Sequence, residues 1–294
     1  MIIKESKGRR VFNAVNILIM FLLIIIMAYP MYYVVMASFS NSNELMRHTG
    51  VLLKPLGFNL NAFKSVFYNP NILRGYKNTL IILVIGTAVN MAMTSLTAYA
   101  LSRKGLMFGN AITMFIVFTM FFGGGLIPTY LLVNSLGIMN TYWAVILPGA
   151  MSTYNFIIMR TGFAAVPESL EEAARIDGAS HPIILIKIFI PLAKATMAVI
   201  LLYYVVGHWN SWFAAMIYMQ KRRDLQPLQL VLRGILIAND TASMQGGELG
   251  VDQEAIGESI KYAVIVVSTL PILVVYPFLQ KYFVQGVMIG AVKG

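Results

Sequence analysis

The chain has 294 residues, 58% hydrophobic and 12% charged, with a formal charge of +10 and no cysteine. The charged share is about half that of an ordinary soluble domain, which argues against a water-soluble fold. Without cysteine there is no disulfide framework, thiolate metal site or cysteine nucleophile. The basic residues sit at the ends of apolar tracts rather than in one aromatic-laced patch, which favours membrane anchoring over nucleic acid.

Charge-free tracts cover 11–43, 78–102, 105–159, 195–220 and 262–280, and a membrane-crossing helix needs about 20 such residues. In chain order they predict an all-α membrane protein of six transmembrane helices, at about 11–37, 77–101, 110–133, 141–163, 195–219 and 262–283. The first follows Lys4, Lys7, Arg9 and Arg10. Its apolar run exceeds the roughly 7 to 15 residues of a secretory signal, so it reads as an uncleaved anchor. The segment 38–76 is too polar for lipid. Within it Asn61, Ala62, Phe63, Val66 and Phe67 suit a short amphipathic helix, either lying at the outer interface or packed on the bundle. The uncharged run 105–159 is too long for one span and must hold two, turned at Asn134, Ser135, Gly137 and Asn140. Gly123–Gly125, Pro128, Pro148, Pro271 and Pro277 fall within spans, where glycine and proline are common, so packing rather than bending is the expectation. Short loops set the orientation: the N-terminal tail carries four basic residues, the 102–109 loop carries Arg103 and Lys104, and 134–140 carries none. Both termini and the segment 164–194 are therefore expected in the cytoplasm, with 38–76 and 220–261 outside.

The most polar cytoplasmic stretch apart from the tail runs from Val166 to Ser180. Pro167 fits a helix start, Ser169 and Glu172 have capping-box spacing, and three glutamates favour the positive end of the dipole. Glu171 and Arg175 are four apart and can pair, and Gly178 suits a helix end that needs positive φ. A second helix can begin near Ser180 and Pro182 and is limited by Pro191. Asp177 opposes the dipole where it stands, so it either caps that second helix or meets an external partner. On composition alone the stretch would be a solvated loop.

Glu172-Ala173-Ala174, followed by Gly178, Ile188, Ile190 and Pro191, stands at the offsets of the EAA motif, and the chain resembles the ATP-binding-cassette importer permeases that carry it. Asp177-Gly178-Ala179-Ser180 and Pro191-Leu192 resemble the carbohydrate-uptake branch, similar to the maltose permease of the G type. Phe122 to Tyr130 and Leu136-Gly137-Ile138 resemble a subgroup associated with aldouronate and alginate fragments. Ile190 replaces the usual leucine, and Ala195 stands where that branch often has proline, which leaves the start of the fifth span less kinked in expectation.

The resemblance implies one permease domain over 1–294 with the type I importer fold, in a bacterial cytoplasmic membrane. A coupling element at about 164–191 would dock on a cytoplasmic ATPase. Glu172 would contact that ATPase, Ala173 and Ala174 would let it approach, Gly178 would set the turn, and Asp177, Ile188 and Pro191 would complete the element. The tail 284–294, through Gly286, Gly290, Lys293 and Gly294, would lie against the ATPase pair. Implied partners are a homologous second permease, two ATPase subunits that hold ATP and Mg, and an extracellular or periplasmic sugar-binding protein. The chain itself has no Gly-x-x-x-x-Gly-Lys-Ser/Thr, so ATP hydrolysis is expected elsewhere.

Polar and aromatic groups within the spans are Tyr154, Asn155, His208, Trp209, Asn210 and Trp212. Aromatic faces stack on sugar rings and asparagine serves hydroxyls, so all but His208 are candidates for a substrate path. Taken singly, helix packing and interface anchoring explain each of them. His208 has no His or Cys companion, so no metal site is expected. Two rivals follow. An ion-coupled secondary carrier usually needs an intramembrane carboxylate, and no Asp or Glu lies in a predicted span. A membrane enzyme finds neither His-Glu-x-x-His nor Gly-x-Ser-x-Gly in the chain.

Overall fold

The computed structural model describes residues 6–238 and 259–274, and every regular element among them is helical. The chain divides into two compact units. One comprises the segments up to Asn69 and Gly234–Thr269, the other Pro70–Arg233 and the residues from Leu270.

The first unit is led by Lys7–Ser38, whose N-cap Ser6 accepts a hydrogen bond from the Arg9 amide. Its apolar window is wholly unburied within the chain, the condition of a helix whose solvent is lipid. Burial begins at its last residues, Ala37 and Ser38, where Ala37, Leu45 and Leu52 form a small core with Tyr33 and Tyr262. Serines close this end: Ser42 and Ser259 hydroxyls lie 2.7 Å apart, and Ser259 donates to the Ser40 carbonyl at 2.8 Å. The helix Asn61–Tyr68 buries Ala62 and Val66, four residues apart on one face, while Phe63 packs on Phe39. Phe67 and Tyr68 on the same helix stay exposed.

The second unit is organised around Pro70–Ser102, a 33-residue helix about 50 Å long at about 1.5 Å per residue. Thr153–Ala164 and Lys194–Trp209 pack along it. Gly162 lets the latter two approach: a Cβ there would lie 2.7 Å from Thr196 Oγ1, the small-residue device of membrane helix pairs. Phe156, Met159, Phe163, Ile184, Phe189 and Ile200 fill the core between these elements.

Three predicted spans are not continuous, which corrects the expectation of packing rather than bending at Gly123–Gly125 and Pro148; Pro128 and Pro271 lie within helices, and Pro277 falls outside the described residues. The span 110–133 is Gly109–Phe121 and Leu126–Ser135, meeting at 113°. Three consecutive glycines cost helix stability of about 1 kcal/mol each, and Gly125 adopts φ +86°, open to glycine with little strain. The span 141–163 is Trp143–Ile146, a tight turn through Pro148 and Gly149, and then Thr153–Ala164. The span 195–219 stops at Trp209 and resumes as Phe213–Tyr218. Two described helices are each long and apolar enough to cross a membrane, and the count is four if each of two bent pairs forms one span.

Breaks inside a membrane strand backbone groups away from water, and here side chains of Pro70–Ser102 and Lys194–Trp209 take them up. Asn90 Nδ2 donates to the Gly149 carbonyl at 2.6 Å. The Ser152 amide donates to Tyr204 Oη, which shares a 2.7 Å hydrogen bond with Thr94. Asn78 Nδ2 donates to the carbonyls of Asp224 and Gln226, and its oxygen accepts from Tyr142. Because a carbonyl can only accept, Gly149 fixes the Asn90 amide, so Asn90 Oδ1 faces His208 and His208 Nε2 carries the proton across the 2.6 Å contact.

Candidate coupling site

The polar motif folds as predicted at its end and differently at its start. Glu168–Ile176 is a helix whose N-cap is Pro167, with no side-chain hydrogen bond at the cap. Ser169 lies inside the first turn, so the Ser169–Glu172 capping box is not formed. Glu168 and Glu171 occupy that first turn and supply the favourable dipole charge instead. The helix closes with Gly178 at φ +80°, the Ala179 amide donating to Ala174 and the Gly178 amide to Arg175. These two bonds make the Schellman closure that glycine permits.

The two faces of this helix differ. On the inner face Glu171 is buried and bonded twice, by Arg175 at 2.8 Å and by Arg103 at 3.1 Å. Arg103 also donates to the Phe163 carbonyl at 2.8 Å and lies 4.3 Å above the Phe189 ring. One guanidinium thus joins the end of Pro70–Ser102, the end of Thr153–Ala164 and the motif helix. Lys104 adds an exposed pair with Glu168 at 2.8 Å. That contact holds the Glu168 carboxyl below and the Lys104 ammonium above their ordinary ranges, chiefly through the shared hydrogen bond. Ala174, half-buried, packs on the core side with Glu171, while on the outer face Glu172 and Ala173 are exposed and Ile176 is 87% exposed.

Asp177 is the exposed C-cap, and Ser180 rather than Asp177 holds the N-cap of the next helix. That helix, His181–Leu192, contains one wide turn, Leu185–Phe189, just before Pro191, which has no amide to give to the carbonyl four residues back. Ile188 packs against the core and Pro191 is exposed. The chain then bends by 91° into Lys194–Trp209. Ala195 therefore does not relax the kink, because the break falls earlier, at Ala193 with φ −94° and ψ 20°.

The path candidates are engaged with separate neighbours. Tyr154 is exposed, with its ring 6.2 Å from Tyr203, and Asn155 is buried. Trp209 is buried beside Tyr76, and Asn210 caps its own helix by donating to the Val206 carbonyl at 2.9 Å. Trp212 lies under the Arg233 guanidinium, 4.6 Å from the ring centre. The residues 286, 290, 293 and 294 fall outside the described residues, and no cluster able to hold a metal ion occurs among the described ones. Sequence reasoning missed Arg103 and the burial of Glu171. The signal available was Arg103-Lys104 on a short loop facing three glutamates.

Residues 5–289 match the family described as "Binding-protein-dependent transport system inner membrane component". The chain is 41% identical to Protein LplC of Bacillus subtilis (strain 168), over 99% of this chain and 97% of that one. It is also 41% identical to the polygalacturonan/rhamnogalacturonan transport system permease protein YtcP of the same organism, over 94% and 96%. A solved bacterial ABC transporter involved in the import of the acidic polysaccharide alginate superposes with a TM-score of 0.86 at 30% identity, over 95% of this chain and 99% of that one. With this match running through nearly the whole sequence, the chain belongs to the binding-protein-dependent transport system inner membrane components and has the fold of an ABC importer permease.

Proposed function

We propose that this permease forms half of the membrane pathway of an importer for an oligosaccharide or polysaccharide fragment, driven by ATP that is hydrolysed on partner subunits. The observation that carries the reading is the two-faced Glu168–Ile176 helix. Its inner face is pinned by Glu171 to Arg103, and its outer face offers Glu172, Ala173 and Ile176. A rigid lever needs both properties. In this reading Glu172 meets the ATPase, Ala173 and Ala174 allow its approach, Gly178 sets the turn, and Asp177, Ile188 and Pro191 shape the second arm. Residues 286–294 extend to the ATPase pair.

The partners are a homologous permease, two ATPases carrying ATP and Mg, and an extracellular or periplasmic binding protein. Six spans place both termini in the cytoplasm of a bacterium, on the short-loop charge pattern. Tyr154, Asn155, Trp209, Asn210 and Trp212 are proposed for the path. The saccharide class is drawn from relatives named for polygalacturonan, rhamnogalacturonan and alginate. An ion-coupled carrier has no support from the family to which the chain belongs.

Substituting Glu172→Ala and Gly178→Val separately in the assembled transporter tests the coupling role. The expected result is loss of ATP-driven uptake, or loss of ATPase association, with the permease still in the membrane. Normal uptake by both variants at normal abundance would remove the docking role.

A further inference from the structure

A cavity of about 600 Å³ opens where Pro70–Ser102 ends and Gly109–Phe121 begins, bounded by the loop between them and by Arg160. Arg103, Lys104 and Arg160 line it, and no carboxylate does. Two of these cations are paired to glutamates beyond the cavity wall, Arg103 with Glu171 and Lys104 with Glu168. Arg160 is different. Its Nε donates to the Leu101 carbonyl at 2.8 Å, which fixes the side chain, while its charge meets no carboxylate among the described residues. The opposite wall is the first turn of Gly109–Phe121, which begins without a side-chain cap.

The same loop carries a bare apolar tip. Leu106, Met107 and Phe108 are consecutive and exposed, Met107 by 76% and Phe108 by 70%. Gly105 at φ +82° and Phe108 at φ +59° hold the tip in a tight reversal. A cation-lined recess directly beside an apolar tip, at the junction of two membrane helices, matches a molecule with a phosphate at one end and acyl chains at the other.

We propose that this recess binds the phosphate diester of an anionic phospholipid, with Arg160 as its principal contact, Lys104 as a second, and Leu106–Phe108 seated among the acyl chains. Basic pockets between membrane helices on the cytoplasmic side recognise such headgroups. The assignment of the lipid to the cytoplasmic leaflet rests on the orientation proposed above. Lys104 would then be shared between the headgroup and Glu168, which places the lipid next to one of the two ties on the coupling helix.

The test uses the full-length chain in nanodiscs of phosphatidylcholine with a minor fraction of phosphatidylglycerol, with retained lipid counted by native mass spectrometry. Wild type is expected to retain phosphatidylglycerol over phosphatidylcholine. Arg160→Gln should lower that retention about fivefold, the factor that about 1 kcal/mol per basic residue represents. Arg160→Lys should recover part of it. Lys104→Gln, at a side chain 85% exposed, tests the site without threatening the fold and should give a smaller loss. Glu172→Ala should bind as wild type does, which separates this site from the coupling role. No preference for phosphatidylglycerol, or a preference untouched by both Arg160→Gln and Lys104→Gln, overturns the proposal. Binding of inorganic phosphate in phosphatidylcholine alone that Arg160→Gln abolishes assigns the recess to a soluble anion, and also overturns it.

Discussion

The C-terminal end of Pro70–Ser102 and the rest of that helix are fastened to their neighbours by different chemistry. At the end, Arg103 and Glu171 form a charged joint that ties three elements together. Further along the helix, Asn90 and Thr94 do the equivalent task with a neutral amide and a hydroxyl, and Asn78 does so near its start. The difference teaches where charge is tolerable. A charge at the centre of a bilayer costs about 2.5–3.5 kcal/mol even on the mildest scale. A neutral interhelical hydrogen bond there contributes about 0.6 kcal/mol on average and carries no such penalty. The charged joint sits at the end of the helix, beside exposed Lys104 and Glu168, where water is near.

The comparison breaks first at the charged joint. Glu171→Ala leaves the Arg103 guanidinium, only 13% exposed, without its carboxylate, and a loss of about 3–5 kcal/mol is expected. Thermal unfolding of the purified permease should show it as a large fall in Tm. The pair Glu171→Leu with Arg103→Met should recover most of that loss, since two matched apolar groups carry no stranded charge. A double variant as unstable as Glu171→Ala would show that shape, not charge, holds the joint.

Next comes the neutral seam. Asn90→Leu orphans both the Gly149 carbonyl and His208 Nε2, at a cost of about 1–3 kcal/mol. Hydrogen exchange should rise around residues 147–153 before it rises elsewhere. Uniform exchange across the unit would contradict a local latch.

Gly178→Ala should cost roughly 1–2 kcal/mol, because a Cβ at φ +80° crowds the following carbonyl. Space is not the obstacle, since nothing lies within 4 Å of the position a Cβ would take. Gly178→Asn, which tolerates positive φ better, should lose less. Equal losses would point to a contact rather than to the backbone.

The smallest effect is expected at Lys104 and Glu168. A lowered carboxyl pKa contributes stability above the unfolded-state value, lost as pH falls through the folded one. A raised ammonium pKa contributes below its unfolded-state value, lost as pH rises through the folded one. The difference between wild type and Lys104→Gln should therefore stay flat through the neutral range and shrink only toward the acid and alkaline ends. A difference that changes through the histidine range would assign the effect to another group.

Much of the coupling element was legible because its determinants are local. Glu171 and Arg175 are one helical turn apart, and Gly178 alone sets the closing turn. The failures have physical causes too. Ser169 had the spacing of a cap, yet Pro167 starts the helix earlier, so the hydroxyl sits inside the turn. The bend before Lys194 was expected to weaken without a proline at 195, but it is made at Ala193, two residues upstream.

By itself the sequence determined the apolar tracts, the helical class and the bounds of the polar helix 168–176, since hydropathy and short-range turns act over a few residues. Only the tertiary structure decided which glutamate points inward. Glu171 finds Arg103 across 68 residues of chain, and no periodicity encodes a partner that far away. The helix breaks were decided at the same level: Gly149 and Ser152 can leave the helix because Asn90 donates to the Gly149 carbonyl and Tyr204 accepts from the Ser152 amide. In a membrane, a broken backbone survives only where another element supplies the missing hydrogen bond.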